Sequence, residues 1–149
     1  MKTRQAILIG SALIATTLFV PQEIAAHDEN SPRHVAMTTL GDTMQAIGKS
    51  LKAGHLGSEL IASADKIVTI AKSIPDYFSE PEKSNKSRAK PEIWTDFPNF
   101  RKASDRLVLA AMELKKTLSA NDLEIAQAAL KQTGETCGAC HKAYRMPKR

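Results

Sequence analysis

From residue 31 onward the apolar positions recur at alternating steps of three and four, the spacing of one helix face. Sustained alternation of apolar and polar residues, which would mark strands, is absent from the pattern. Ser31 and Pro32 predict the start of a first helix, a capping side chain followed by proline at the first helical position. Its stripe runs Met37, Leu40, Met44, Ile47, Leu51 and ends at the glycines 54 and 57. A second helix carries Leu60, Ala64, Ile67, Ala71 and Ile74 and is expected to stop at Pro75. Asp96 and Pro98 begin a third, with Phe97, Phe100, Ala103, Leu107, Ala110, Leu114 and Leu118 inward. Ser119 or Asn121 caps a fourth, whose stripe is Leu123, Ala126, Leu130, Thr133, Cys137, Cys140, His141 and Tyr144.

Short connections at 52–57 and 118–121 make neighbouring helices antiparallel. The expected fold is therefore all-α, an up-down-up-down antiparallel four-helix bundle without internal repeats. Between Pro75 and Ile93 the composition turns to Pro, Ser, Lys, Glu and Asn with no apolar period. That stretch reads as a long mobile crossover inside one domain.

The first 26 residues follow a different pattern. Lys2 and Arg4 precede an uncharged run from Ala6 to Val20, then Pro21 and a polar stretch ending Ile24-Ala25-Ala26. A basic start, an apolar middle and small exit residues are the order of a secretory signal peptide. The run has about 15 residues where a spanning helix needs about 20, so stable membrane association is not expected. Cleavage after Ala26 would leave a periplasmic domain over residues 27–149. Two cations and one anion leave with the leader, taking the formal net charge from +5 to +4. No basic tract is dense enough to argue for nucleic acid. A modest positive balance suits an acidic redox partner or simple solubility.

Both cysteines lie in Cys137-Gly138-Ala139-Cys140-His141. In an exported chain, C-x-x-C-H reads as an attachment site for c-type haem, two thiols for the vinyl groups and an imidazole for the iron. On a helix, steps of about 100° set Cys140 about 60° and His141 about 40° from Cys137, so all three leave one face. A disulfide between cysteines three apart would close a very small loop and gain little. A zinc site lacks a second ligand pair, and a thioredoxin-like dithiol expects a βαβ setting. Aromatic residues make up only 5% of the chain, leaving apolar volume for a large buried cofactor to supply. No Ser-His-Asp set, paired carboxylates or phosphate loop is evident, so the chain does not read as an enzyme.

An exported helical chain with C-x-x-C-H almost at its end resembles the cytochrome c′ family and its low-spin relatives, the cytochromes c-556. Three stretches carry the resemblance: Cys137 to Arg145, Lys90-Pro91-Glu92-Ile93-Trp94 with Phe100 downstream, and Arg33-x-x-x-Met37. Together they cover about residues 31–146. The resemblance implies one covalent haem c, with Cys137 and Cys140 as thioether donors and His141 as proximal ligand. It sets Arg33 near the haem propionates, with Lys90 a second candidate there, and a basic residue, Arg145, beside the proximal histidine. At His34 the high-spin members often carry glutamine. An acidic residue that some members direct from the crossover toward the haem edge is replaced here by Arg88 or its neighbours.

Met37 falls where this family faces the distal side of the iron. In c-556 relatives a methionine there ligates, giving a six-coordinate, single-electron carrier that serves periplasmic redox partners. In cytochromes c′ proper the iron stays five-coordinate and open to nitric oxide or carbon monoxide. A methionine on an apolar stripe is also ordinary core filler, so residue identity alone leaves both readings open. A peroxide-consuming haem enzyme is a more distant alternative, lacking a distal acid-base residue beyond His34. The resemblance also admits a homodimer through the first helix.

Overall fold

The computed structural model describes residues 31–81 and 87–148; the leader expected at 1–26 lies outside them. Four long helices and one short one follow in order: α1 (Pro32–Lys52), α2 (Ser58–Tyr77), α3 (Glu92–Thr95), α4 (Phe97–Ser119) and α5 (Leu123–Tyr144). The four long helices form a ring in which α1 adjoins α2, α2 adjoins α4, α4 adjoins α5 and α5 returns to α1. This is the expected four-helix bundle.

The helix starts follow local rules. The Ser31 hydroxyl accepts from the His34 amide at 3.2 Å, with Pro32 opening α1. Asp96 caps α4, its carboxylate accepting from the Asn99 amide. The cap of α5 is Asp122, which accepts from the Ile125 amide at 3.1 Å, and neither Ser119 nor Asn121. Asn121 instead makes the turn itself, at a φ of 57° that asparagine tolerates better than most residues.

Inward positions match the apolar stripes apart from slips by one residue: on α4 Ala111 is fully buried and Ala110 only partly so, and on α5 Ala129 is buried and Leu130 only partly so. Two readings are corrected by tertiary contacts. Helix α2 does not stop at Pro75 but runs through it to Tyr77. Proline has no N–H to give the carbonyl of Ala71, and the buried Ser104 hydroxyl of α4 donates to that carbonyl at 2.7 Å instead. The crossover is not featureless either. Its second half leads into α3 and pairs with the last residue of α5 and the chain after it, Lys90 N–H donating to Tyr144 O at 3.0 Å and Met146 N–H to Arg88 O at 2.7 Å. Residues 82–86 of the crossover lie outside the described residues.

Helix ends are closed by distant side chains. Gln127 of α5 donates to Leu51 O at the end of α1, and Arg33 of α1 donates to Tyr77 O and Glu80 O at the end of α2. Trp94 Nε1 donates to Phe78 O, and Lys90 Nζ donates to Lys142 O and Ala143 O at the end of α5. Arg33 and Lys90 thereby place a cation at the negative end of a helix dipole.

Candidate haem site

Where α1, α2, α4 and α5 separate beside the crossover, they enclose a cavity of about 450 Å³. That lies within the range of ordinary small-molecule and cofactor sites, about 300–1,000 Å³. Cys137, Cys140 and His141 of α5 line it, as do Met37 and Met44 of α1. Its remaining surface is mostly apolar, with Leu40, Ile74, Ile93 and Leu107 among the lining side chains. Aromatic rings close that end: Phe100 is buried, with Phe78 and Tyr144 each 5.2 Å from it between centroids.

The motif lies within the last turns of α5, so the helical geometry expected for it holds, and both cysteines and His141 are half-buried on the cavity wall. Met37 and Met44 occupy stripe positions between fully buried neighbours yet are only half-buried themselves. The cavity in front of them explains this. A stripe that continued as packed core would have buried them.

Burial pushes the thiols of Cys137 and Cys140 up, and the neighbouring Cys137 adds to the shift at Cys140. Both thiols are therefore protonated at neutral pH, the opposite of an activated dithiol. The imidazole of His141 is pushed the other way, first by burial and then by the guanidinium groups of Arg145 and Arg88. A neutral imidazole is the form that ligates a metal. Among the described residues no cluster of three or more His, Cys, Asp or Glu side chains could hold a metal ion by itself. The donor set, two thiols and one imidazole against an apolar cavity, fits haem c rather than zinc.

Arg33, taken from the sequence as a partner for the haem propionates, also lines the cavity. Its Nε and one Nη already donate to Tyr77 O and Glu80 O, and its guanidinium lies 4.3 Å from the centre of the Phe78 ring. His34 lines the cavity too, and its ring makes a 3.4 Å hydrogen bond with Thr38. The periodicity gave no weight to Arg88, Thr136 or Ser104 as lining residues. Only the resemblance points to Arg88, setting it or its neighbours where some family members direct an acidic residue toward the haem edge.

A helical bundle with C-x-x-C-H on the inner face of its last helix, opening on an apolar cavity, defines a monohaem c-type cytochrome. A family profile described as Cytochrome C′ matches residues 28–145, and the chain belongs to that family, carrying one covalently bound haem c. It is 31% identical to the cytochrome c′ of Rhodospirillum rubrum over 97% of this chain and 99% of that one. It is also 31% identical to a cytochrome c-556 of Agrobacterium tumefaciens over 80% of this chain and 98% of the relative. Among solved structures, cytochrome c′ from Rubrivivax gelatinosus superposes with a TM-score of 0.66 at 21% identity, covering 76% of this chain and 91% of that one. A nitric oxide complex of a variant cytochrome c prime from Alcaligenes xylosoxidans superposes at 0.68, with 24% identity and 78% and 91% coverage. These structures share the fold. No helix among the described residues is long and apolar enough to cross a membrane.

Proposed function

We propose that this cytochrome is an exported, periplasmic carrier of single electrons and not an enzyme, its signal peptide removed after Ala26. In this reading Cys137 and Cys140 would hold the haem through thioether bonds, and His141 and Met37 would be the side chains that ligate its iron. The observation that carries it is the convergence of these four side chains, from α5 and α1, on one mostly apolar cavity. When bound, the haem supplies a one-electron couple, and His/Met ligation raises its potential into a range useful for electron transfer. The protein's part is to hold the two ligand side chains on separate helices, exclude water with Phe100, Phe78 and Leu107, and keep His141 neutral. The approach of redox partners and any dimerisation belong to the same proposal.

A second reading has its own support. Relatives named cytochrome c′ stand beside those named cytochrome c-556, and a structural neighbour at 24% identity was solved as a nitric oxide complex. A five-coordinate iron, with Met37 unbound, would capture small gases in the same cavity. Visible and near-infrared spectra of the purified protein separate the two. A low-spin ferric form with a methionine-to-iron charge-transfer band, lost in Met37→Ala, supports the carrier. A high-spin ferrous form that takes up carbon monoxide at once would sink it. The attachment itself is tested by replacing both Cys137 and Cys140 with alanine, which should leave all haem extractable into acid-acetone.

A further inference from the structure

Ionised side chains lining the cavity are of one sign. Among the described residues Arg33, Arg88 and Arg145 line it, and no aspartate or glutamate does. Haem brings two carboxylates, so the cations that meet them must have donors to spare. Neither residue picked out by the sequence does so freely: Arg33 closes the end of α2, and Lys90 gives its Nζ to two carbonyls at the end of α5. Arg88 differs. Its side chain is half-buried in the cavity lining, yet its guanidinium makes no hydrogen bond or ion pair with any described residue. A half-desolvated guanidinium without an acceptor is costly, and a carboxylate arriving with the cofactor would satisfy it with charge-assisted, two-pronged hydrogen bonds. The backbone around Arg88 is held for this. Its carbonyl accepts from the Met146 amide at 2.7 Å, and the next residue, Ala89, bridges to Arg145 across the antiparallel pair.

We propose that Arg88, carried on the crossover and clamped beside the end of α5, binds a haem carboxylate, while Arg33 and Lys90 brace the helix ends that frame the cavity. The inference rests on the cytochrome reading above. Removing a positive charge there destabilises the reduced iron relative to the oxidised one, because the charge of the iron site falls on reduction.

The experiment compares haem-loaded wild type with Arg88→Gln, Arg88→Lys and Arg33→Gln. Each is equilibrated with a soluble redox mediator at pH 7, and each is melted. Arg88→Gln should shift the equilibrium toward the oxidised form about 3- to 10-fold, with Arg88→Lys close to wild type. Arg33→Gln should lower the melting temperature more than Arg88→Gln does and shift the equilibrium less. Should the glutamine variant not fold, Arg88→Met keeps the apolar stem, removes the charge and serves the same comparison. An equilibrium unchanged in Arg88→Gln, an equal shift in Arg88→Lys, or a larger one in Arg33→Gln would overturn the proposal. Those outcomes leave the cytochrome reading standing, whereas a wild type without covalent haem overturns both.

Discussion

The two halves of the bundle are built from the same stripe and end differently. Around the α1–α2 turn and the α4–α5 turn, Ile47, Leu51, Ala64, Ile67, Leu114 and Ala126 are each at most 1% exposed and pack into a dry core. At the other end the stripe continues through Met37, Met44, Cys137, Cys140 and His141, all only half-buried, around a cavity of about 450 Å³. The difference teaches what apolar periodicity reports. It marks the face turned inward, and it does not say whether protein or cofactor fills the space inside.

The contrast can be broken most severely at the packed end. Leu114→Ala should cost about 2–5 kcal/mol, because a fully buried side chain leaves a void among close-packed neighbours. Met44→Ala, at the cavity end and half-buried, should cost less than half of that. Urea unfolding of the haem-loaded variants measures both, and similar losses would mean that the two halves are equally packed. The spectrum should respond in the reverse sense, unchanged in Leu114→Ala and altered in Met37→Ala.

Ser104 lies at the boundary of the two halves. Ser104→Ala strips the carbonyl of Ala71 of the donor that replaces the missing N–H of Pro75, with an expected loss of about 1–3 kcal/mol. The double change with Pro75→Ala restores the helix's own donor. It should recover much of the loss, a coupling that a double-mutant cycle reads directly.

Surface electrostatics gives the smallest effect, far from the cavity. The Glu59 carboxyl is held below the usual glutamate value, first by a backbone N–H and then by a hydrogen bond from His55 at 2.7 Å. A depressed carboxyl contributes stability above the unfolded value, 4.5, which is lost as the pH falls through the folded value. The group is fully exposed, so only a slight flattening of the acid limb of the melting curve is expected in Glu59→Gln. A carbon-detected titration of the Glu59 carboxyl should show its midpoint below 4.5; a midpoint above it would exclude the interaction.

Local signals were legible where one short stretch contains both cause and effect. Ser31-Pro32 and Asp96-Pro98 start helices by themselves, and the alternating steps of three and four select the buried faces of α1 and α2 without help. The motif Cys137 to His141 is equally self-contained, since its spacing matters only along its own helix. Asp122 was missed as a cap because Ser119, Asn121 and Asp122 all have capping chemistry. Only the backbone path, with Asn121 at a φ of 57°, selects among them.

What escaped reading involves partners far apart in the chain. Pro75 looks like a terminator until Ser104, 29 residues later, supplies a hydroxyl to Ala71. Arg33 and Lys90 are expected near the haem propionates, and the ends of α2 and α5 also present their carbonyls to them. The resemblance sets Arg88 or one of its neighbours at the haem edge, and backbone pairing with Met146 brings Arg88 itself to the cavity. The sequence by itself determined the helices, their inward faces and the haem-binding motif, because each depends on residues within a turn or two of one another. The tertiary structure alone decided which cations close helix ends, because hydrogen-bond donors are finite and their nearest acceptors lie on other helices.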